Sequence, residues 1–266
     1  MARRNGGQAL RFSIIIPNYN NGPWLEKCLD SIVSQKYNDY EVIFVDDVST
    51  DNSVDVFDKY KAKFRGYDLV ELHRKRYNGG ARNVGISCAA GDYIVFIDSD
   101  DSFYDNMCLK AIDDVIRANN EPDLVRLSYV CCVGHDEYLA DLSGQDTVEK
   151  ILASESVACW TKCVKRSKMV QFPENTLMED VVQHIAQLDN VDSVAVCDKP
   201  IIKWNRNNTN SCSTNPELQD GKWRSSLYRF YADLLDLKVN KPESQFELAK
   251  RRSMALDNIR NGRYEQ

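Results

Sequence analysis

The sequence predicts an α/β fold, a mainly parallel, Rossmann-like sheet flanked by helices and followed by C-terminal helices. Two observations carry that reading. Strand cores such as Ile14-Ile15-Ile16 and Val42-Ile43-Phe44-Val45 are unbroken apolar runs rich in β-branched residues, without the period-two alternation of a sheet wetted on one face. Between them lie segments whose apolar residues recur at helical spacing, joined by short links, and that alternation builds parallel sheets.

A first strand over residues 13–16 is stopped by Pro17 and leads into a helix over 23–33. Trp24, Leu25, Cys28, Leu29, Ile32 and Val33 form one face of that helix, Asn21 or Gly22 caps it, and Pro23 takes the first helical position. A strand over 41–45 follows, then a helix over 52–64 capped by Thr50 or Asp51, a short strand over 68–72, a helix over 81–89 and a strand over 93–98. A helix over 107–118 and a strand over 124–130 end the regular alternation. From 131 to 215 the pattern thins to loops and short elements with a helix over 179–188, and helices over 217–237 and 243–259 close the chain.

Composition narrows the functions. With 266 residues, 43% hydrophobic and 28% charged, the chain suits one large or two small globular domains, and Gly and Pro are too few for a disordered or fibrous protein. A net charge of -6 argues against nonspecific nucleic-acid binding. No run approaches the roughly 18–20 apolar residues of a membrane span, and the apolar stretch before Pro17 is too short for a signal peptide, so Arg3-Arg4 is no export signal. The nine cysteines include no Cys-x-x-Cys pair and fall mostly in apolar patterns, as small buried thiols do. The expected location is cytoplasmic, at most peripheral at the inner face of a membrane.

Polar motifs collect where the strands end. In "YIVFIDSDDS" a buried strand runs into Asp98, Ser99, Asp100 and Asp101; an Asp-x-Asp pair there suits a divalent cation, Mn2+ or Mg2+, through hard oxygen ligands. The competing reading is a loop of acidic capping residues, with Asp101 or Ser102 starting the next helix. "EVIFVDDVSTDNS" repeats the design with Asp46-Asp47, and "IIIPNYNNGPW" puts Tyr19 at the same crevice, where its ring suits stacking on a base and a carboxylate suits a base N–H. Turn chemistry for the aspartates and simple packing for Tyr19 are the plainer alternatives. In "RYNGGARN", Gly79-Gly80 allow close backbone approach, and Arg82 near a helix start is a donor suited to a diphosphate. The chain lacks both the G-x-G-x-x-G and the G-x-x-x-x-G-K orders.

Taken together, "SIIIPNYNNGPWLEKCLDSIVSQKYNDYEVIFVDDVSTDNS", "NGGARNVGI" and "GDYIVFIDSDD" resemble the family 2 glycosyltransferases of the GT-A fold. "WTKCVKRS", "FPENTLMEDVVQHIAQL" and "KPIIKWNRNNTNSCST" are similar to that family's acceptor half. The resemblance implies a nucleoside diphosphate sugar donor, most simply UDP-linked, and inversion at the anomeric carbon. It implies that Pro17, Tyr19 and Asp47 line the base pocket with Asp46 in support, that Asp98, Ser99 and Arg82 lie at the ribose and diphosphate, and that Asp98 and Asp100 hold the metal. It matches Glu179-Asp180 to the family's acidic pair, whose Asp is the general base; Met178 stands where a glycine commonly precedes that pair. The expected organisation is a disordered leader over 1–10, a nucleotide-sugar half over 11–130, an acceptor half over 131–215 and a helical extension over 216–266. Surface-glycan biosynthesis is the expected setting, with a glycan, lipid-linked or other hydroxyl acceptor.

Trp160, Lys162, His184, Arg206 and Ser211 are candidate acceptor-binding residues, with Trp204 and Ser213 beside them. Each competes with packing or surface roles, and His184 reaches an acceptor only if its helix face, one turn beyond Asp180, lines the cleft. Trp223, Leu227, Tyr228, Phe230, Tyr231, Leu234 and Leu235 form an apolar stripe near the basic run Lys250, Arg251, Arg252. Docking on the catalytic domain is the first expectation for it and self-association the second. Two rival classes are a haloacid-dehalogenase-like phosphatase using Asp98 as nucleophile and a noncatalytic nucleotide-sugar or calcium-binding module. The first usually opens with the aspartate strand, and the second has no use for Asp180.

Overall fold

The structure, a computed structural model, describes residues 10–140, 142, 144–174, 176, 178–209, 211, 229–230 and 232–261. The expected leader lies almost wholly outside the described residues, as do Ser213, Trp223, Leu227, Tyr228 and Tyr231.

In chain order the elements are β1 (Phe12–Asn18), α1 (Gly22–Val33), β2 (Tyr40–Asp46), α2 (Ser53–Tyr60), β3 (Tyr67–Glu71), α3 (Tyr77–Cys88), β4 (Tyr93–Phe96), β5 (Ser102–Phe103) and α4 (Cys108–Ala118). Then follow β6 (Leu124–Val133), β7 (Asp136–Ala140), α5 (Val148–Leu152), β8 (Lys162–Lys165), α6 (Glu179–Asp189), β9 (Val194–Asn205) and α7 (Pro242–Asn261). The strands form one sheet in the order β3-β2-β1-β4-β8-β6-β9-β5, with β7 added to β6. The first four positions in that order are parallel throughout. Beyond them β8 runs antiparallel to both β4 and β6, and β6 and β9 are parallel. The carboxyl ends of β1, β2, β4, β6 and β9 therefore share one edge of the sheet, and the polar motifs sit along it.

The apolar runs become the core as their pattern requires. Ile14, Ile15, Ile16, Val42, Ile43, Phe44 and Val45 have no exposed surface, because helices cover both faces of their strands. Each such side chain contributes roughly 1.5–3 kcal/mol through burial. Helix α3 packs on β1 and β2. It comes close through Gly85, where a Cβ would stand 2.4 Å from the Ile15 Cγ2.

The cap of α1 differs from expectation. Asn21 occupies the cap position of α1 without a side-chain bond, and the carboxylate of Asp51 accepts the Gly22 N–H instead, at 2.8 Å. The other oxygen of Asp51 accepts the Ser53 N–H at 3.0 Å and its hydroxyl at 2.6 Å. One side chain thus serves the starts of α1 and α2. Helix α3 starts at Tyr77, earlier than the expected residue 81, and takes Gly79 and Gly80 into its first turn. The strand expected over 124–130 is β6, which extends to Val133 and pairs with β7 in the stretch where the pattern thins to loops and short elements, and the short β5 lies between the expected strand over 93–98 and the helix over 107–118.

At the C-terminal end, Phe230 and Leu234 with Leu248 and Ala255 of α7 pack against Val181, Val182 and Ile185 of α6. Of the apolar stripe, Phe230 and Leu234 thus dock on the helix that carries Glu179-Asp180, while Leu235 remains exposed. Among the basic run, Arg252 donates to the carbonyls of Leu234, Leu235 and Leu237, closing the C-terminus of the helical residues 232–236. Arg251 and Lys250 pair with Glu247. Among the described residues no helix is long and apolar enough to cross a membrane.

Candidate active site

Three loops meet at the carboxyl edge of the sheet. The first leaves β1 after Asn18, the second leaves β2 at Asp46-Asp47, and the third leaves β4 through Asp98–Asp101. Side-chain amides and hydroxyls tie them together. Asp46, buried, accepts from Asn18 Nδ2 at 2.8 Å and from the Ser49 hydroxyl at 2.6 Å and N–H at 2.8 Å, so it shapes its own loop. Asp47, also buried, accepts the N–H groups of Arg76 and Tyr77 at 2.7 and 2.8 Å and holds the start of α3 against the end of β2. Tyr19 extends from the first loop with 45% of its surface exposed. Pro17 is buried within β1, level with Val45 of β2.

The acidic loop is fixed from below and from the side. Ser99 is buried and its hydroxyl accepts from Asn21 Nδ2 at 2.9 Å, so it braces the first loop. Asp101 is buried and accepts the Asn205 N–H at 2.7 Å. Asp100 accepts from Asn208 Nδ2 at 2.8 Å, and Asn208 reaches Asn21 as well, at 3.1 Å. Burial, then the charge of Asp98, pushes the Asp100 carboxyl up to about 6, and burial with the charges of Asp100 and Asp98 raises Asp101.

Arg82 joins the two halves of the site. It is buried in the second turn of α3, and its guanidinium donates to Asp98 at 2.9 Å, to Glu179 at 2.7 Å and to Asp180 at 3.3 Å. The terminal nitrogens of Arg82 are thus engaged with three carboxylates, while Nε is buried without a partner. The segment before α6 is clamped by the same helix. Asn83 donates to the Phe172 carbonyl at 2.9 Å and accepts the Phe172 N–H at 2.8 Å, and Arg76 pairs with Glu174. A Cβ at Gly79 would lie 2.3 Å from the Pro173 carbonyl oxygen, so only glycine permits this approach. The acidic pair is thereby placed opposite Asp98, at the first turn of α6, where the helix dipole favours carboxylates. Its members differ: the Glu179 side chain is 6% exposed and that of Asp180 25%. Burial and the neighbouring Asp180 raise the Glu179 carboxyl against the pull of Arg82.

The candidate acceptor residues divide. Trp160 is buried, edge-on to Tyr129 with ring centres 4.9 Å apart and 5.8 Å from Trp204. Arg206 is exposed and lies over the Trp204 ring at 4.6 Å, and Ser211 is partly exposed. Lys162 and His184 are packed inside the protein. Lys162 is buried and donates to the carbonyls of Val157 and Ala158, and burial, with the nearby Arg126, pushes its ammonium down to about 7. His184 is buried with Nε2 3.1 Å from the Ile151 carbonyl, on the packed side of α6. Asn21, Asn205 and Asn208 were not among the expected site residues. Their only sequence signal is the density of asparagine in "PNYNN" and "WNRNNTN".

The oxygen donors of Asp98 and Asp100 fit a hard divalent cation, which would offset the charge that pushes the Asp100 carboxyl up. Among the described residues no three His, Cys, Asp or Glu side chains are grouped closely enough to hold a metal by themselves. The remaining ligands of such an ion would come from a bound phosphate group and water.

The sequence matches Glycosyl transferase family 2 over residues 13–161. The chain belongs to that family. Its match to the poly(ribitol-phosphate) beta-glucosyltransferase of Bacillus spizizenii is 44% identical over 95 residues, 35% of this chain and 15% of that protein. The chain spans less than a third of the length of the first curated relatives it matches. In structure this family 2 member is similar to S. aureus TarS 1-349 in complex with UDP-GlcNAc, with a TM-score of 0.75 and 21% identity, covering 91% of this chain and 71% of that one. It is also similar to the mannosyltransferase PcManGT of Pyrobaculum calidifontis in complex with GDP-Man and Mn2+, with a TM-score of 0.66, 18% identity and coverage of 96% and 74%. These likenesses show the GT-A fold, and family membership removes the phosphatase reading.

Proposed function

We propose that this family 2 chain transfers a sugar from a nucleoside diphosphate sugar, UDP-linked, to an acceptor hydroxyl with inversion at the anomeric carbon, in surface-glycan biosynthesis. The observation that carries the reading is Arg82, which holds Asp98 of the donor loop and the Glu179-Asp180 pair of the other half around one guanidinium. The UDP-GlcNAc bound to TarS supports the nucleotide, and the relative named for poly(ribitol-phosphate) supports a polyhydroxylated acceptor.

In this mechanism the acceptor oxygen attacks the anomeric carbon from the face opposite the diphosphate. The bond from that carbon to the diphosphate oxygen breaks, and its electron pair leaves with the nucleoside diphosphate. Asp180, the more exposed member of the pair, takes the acceptor proton as general base. Glu179, buried on Arg82, holds the loop and orients its neighbour. Asp98 and Asp100 would hold Mn2+ or Mg2+, which supplies Lewis-acid stabilisation of the charge developing on the diphosphate. Arg82 keeps base and donor loop in register, since displacement demands alignment of the attacking and leaving groups.

The test is release of nucleoside diphosphate from a panel of sugar nucleotides, with and without Mn2+. We expect UDP release from at least one UDP-sugar, dependent on the metal and reduced at least about 10²-fold in Asp100→Asn. Metal-independent release unaffected by Asp100→Asn would overturn the metal assignment.

A further inference from the structure

The β6–β7 hairpin leaves one strand edge open. Strand β8 pairs with β6 over Leu124–Arg126, and β7 takes the same side of β6 further along, over Tyr129–Val133. Among the described residues no strand lies beyond β7. Asp136, Glu137, Tyr138 and Leu139 are all exposed. Native sheets blunt such an edge with lysine, proline or a bulge, because its free N–H and C=O groups recruit another strand. Strand β7 has none of the three.

The turn fixes which backbone groups point outward. Val133 faces Asp136 across a two-residue loop, and Gly134 at its first position has a φ of 61°, as a tight type II′ turn requires. The pair that closes such a loop is hydrogen-bonded, and bonded and unbonded pairs alternate along the ladder. Asp136, Tyr138 and Ala140 therefore direct their N–H and C=O groups to β6, while Glu137 and Leu139 direct theirs to the open edge. Among the described residues no backbone group outside the hairpin meets them.

We propose that the open edge of β7 pairs with the same edge of a second copy of the chain, antiparallel and centred on Tyr138. In that register Glu137 of each copy faces Leu139 of the other as a hydrogen-bonded pair, which uses every outward group of β7. Tyr138 faces its own counterpart as an unbonded pair, where side chains come closest. Charge selects this register. Asp136 comes to face Ala140 and Glu137 to face Leu139, so no carboxylate opposes another, and the Glu137 charge is met by Lys203 at 2.6 Å. In-register parallel pairing would instead set each acidic residue against its own copy. The contact covers apolar surface on both faces of the sheet, since Tyr138 is 58% exposed and Leu139, on the opposite face, 61%. Such a self-complementary patch is what a two-fold dimer needs. The joint lies beside the crevice, because Cys132 and Gly134 bond to Arg206 and Asn207 in the loop that braces Asp100 and Asp101.

The experiment is sedimentation velocity of the full chain at about 1–200 µM, a range suited to a contact of small area. It compares wild type, Leu139→Pro, Tyr138→Lys, Tyr138→Glu and an equimolar mixture of the last two. We expect wild type to pass from monomer to dimer over this range. Leu139→Pro removes an outward N–H and none that bonds β6, so it should weaken association about tenfold or more through the bond lost from each copy. Tyr138→Lys and Tyr138→Glu should each weaken it as much, and mixing them should restore the dimer, because residue 138 meets only its counterpart. Two variants that pair on mixing are both folded, so this arm stands without Leu139→Pro. A wild type monomeric throughout, association unchanged in Leu139→Pro, or a mixture no more associated than its components would overturn the assignment.

Discussion

Burial and the adjacent Asp98 push the Asp100 carboxyl up to about 6, whereas in an unfolded chain an aspartate titrates near ~3.9. The sign of the consequence follows from proton uptake. Between those values the folded protein binds a proton that the unfolded chain does not, so stability rises as pH falls through 6 and the gain is complete below the unfolded value. Above 6 the fold carries an unfavourable ionised group. In chelator-treated protein, Asp100→Asn should therefore be more stable than wild type at pH 7 by about 2 kcal/mol, with the difference vanishing near ~pH 4. Urea denaturation across that range is the check, and a variant less stable than wild type at neutral pH would contradict it. Asp98, Asp100 and Asp180 were legible in the sequence because each sits in a motif at the end or start of a strongly patterned element. Asn21, Asn205 and Asn208 were not, because an amide that bridges loops more than a hundred positions apart leaves no periodic trace.

Between α1 and α2 the chain uses one side chain for two helix starts. Asp51 was legible as a cap of the second helix, but its bond to Gly22 depends on how the two helices pack, which local sequence does not encode. Burial works against its ionisation, yet the bonds from Ser53 and Gly22 outweigh this and hold the carboxyl below the usual carboxylate range. Its contribution is therefore present above the unfolded pKa and lost as pH falls through the folded one. Asp51→Ala should cost about 1–2 kcal/mol at pH 7, the range of a lost cap, measured as a shift of the chemical denaturation midpoint. A change below about 0.3 kcal/mol would mean that water replaces it without penalty. The start of α3 was misread for a related reason. Two consecutive glycines signal a turn, but here they remain helical so that Pro173 can approach. Strand β7 was not read as a strand because four of its five residues are exposed and show no alternation of burial.

Across the whole molecule, Arg82 links an element of the parallel half to the first turn of α6, and the C-terminal apolar residues pack behind that same helix. The parallel half was readable from its β-branched runs. Of the mixed half only the strand over 124–130 and the helix over 179–188 were readable from pattern, since its order in the sheet departs from chain order. What the assembled crevice claims is a division of labour: the donor loop binds and Asp180 accepts the proton. Transfer rate and donor affinity measured together on Asp180→Asn, with Glu179→Gln as control, test this most directly. We predict that Asp180→Asn lowers transfer to a verified acceptor by about 10²-fold or more with donor affinity nearly unchanged, and that Glu179→Gln costs less. Near-native transfer by Asp180→Asn, with transfer abolished in Glu179→Gln, would contradict the account and make Glu179 the base.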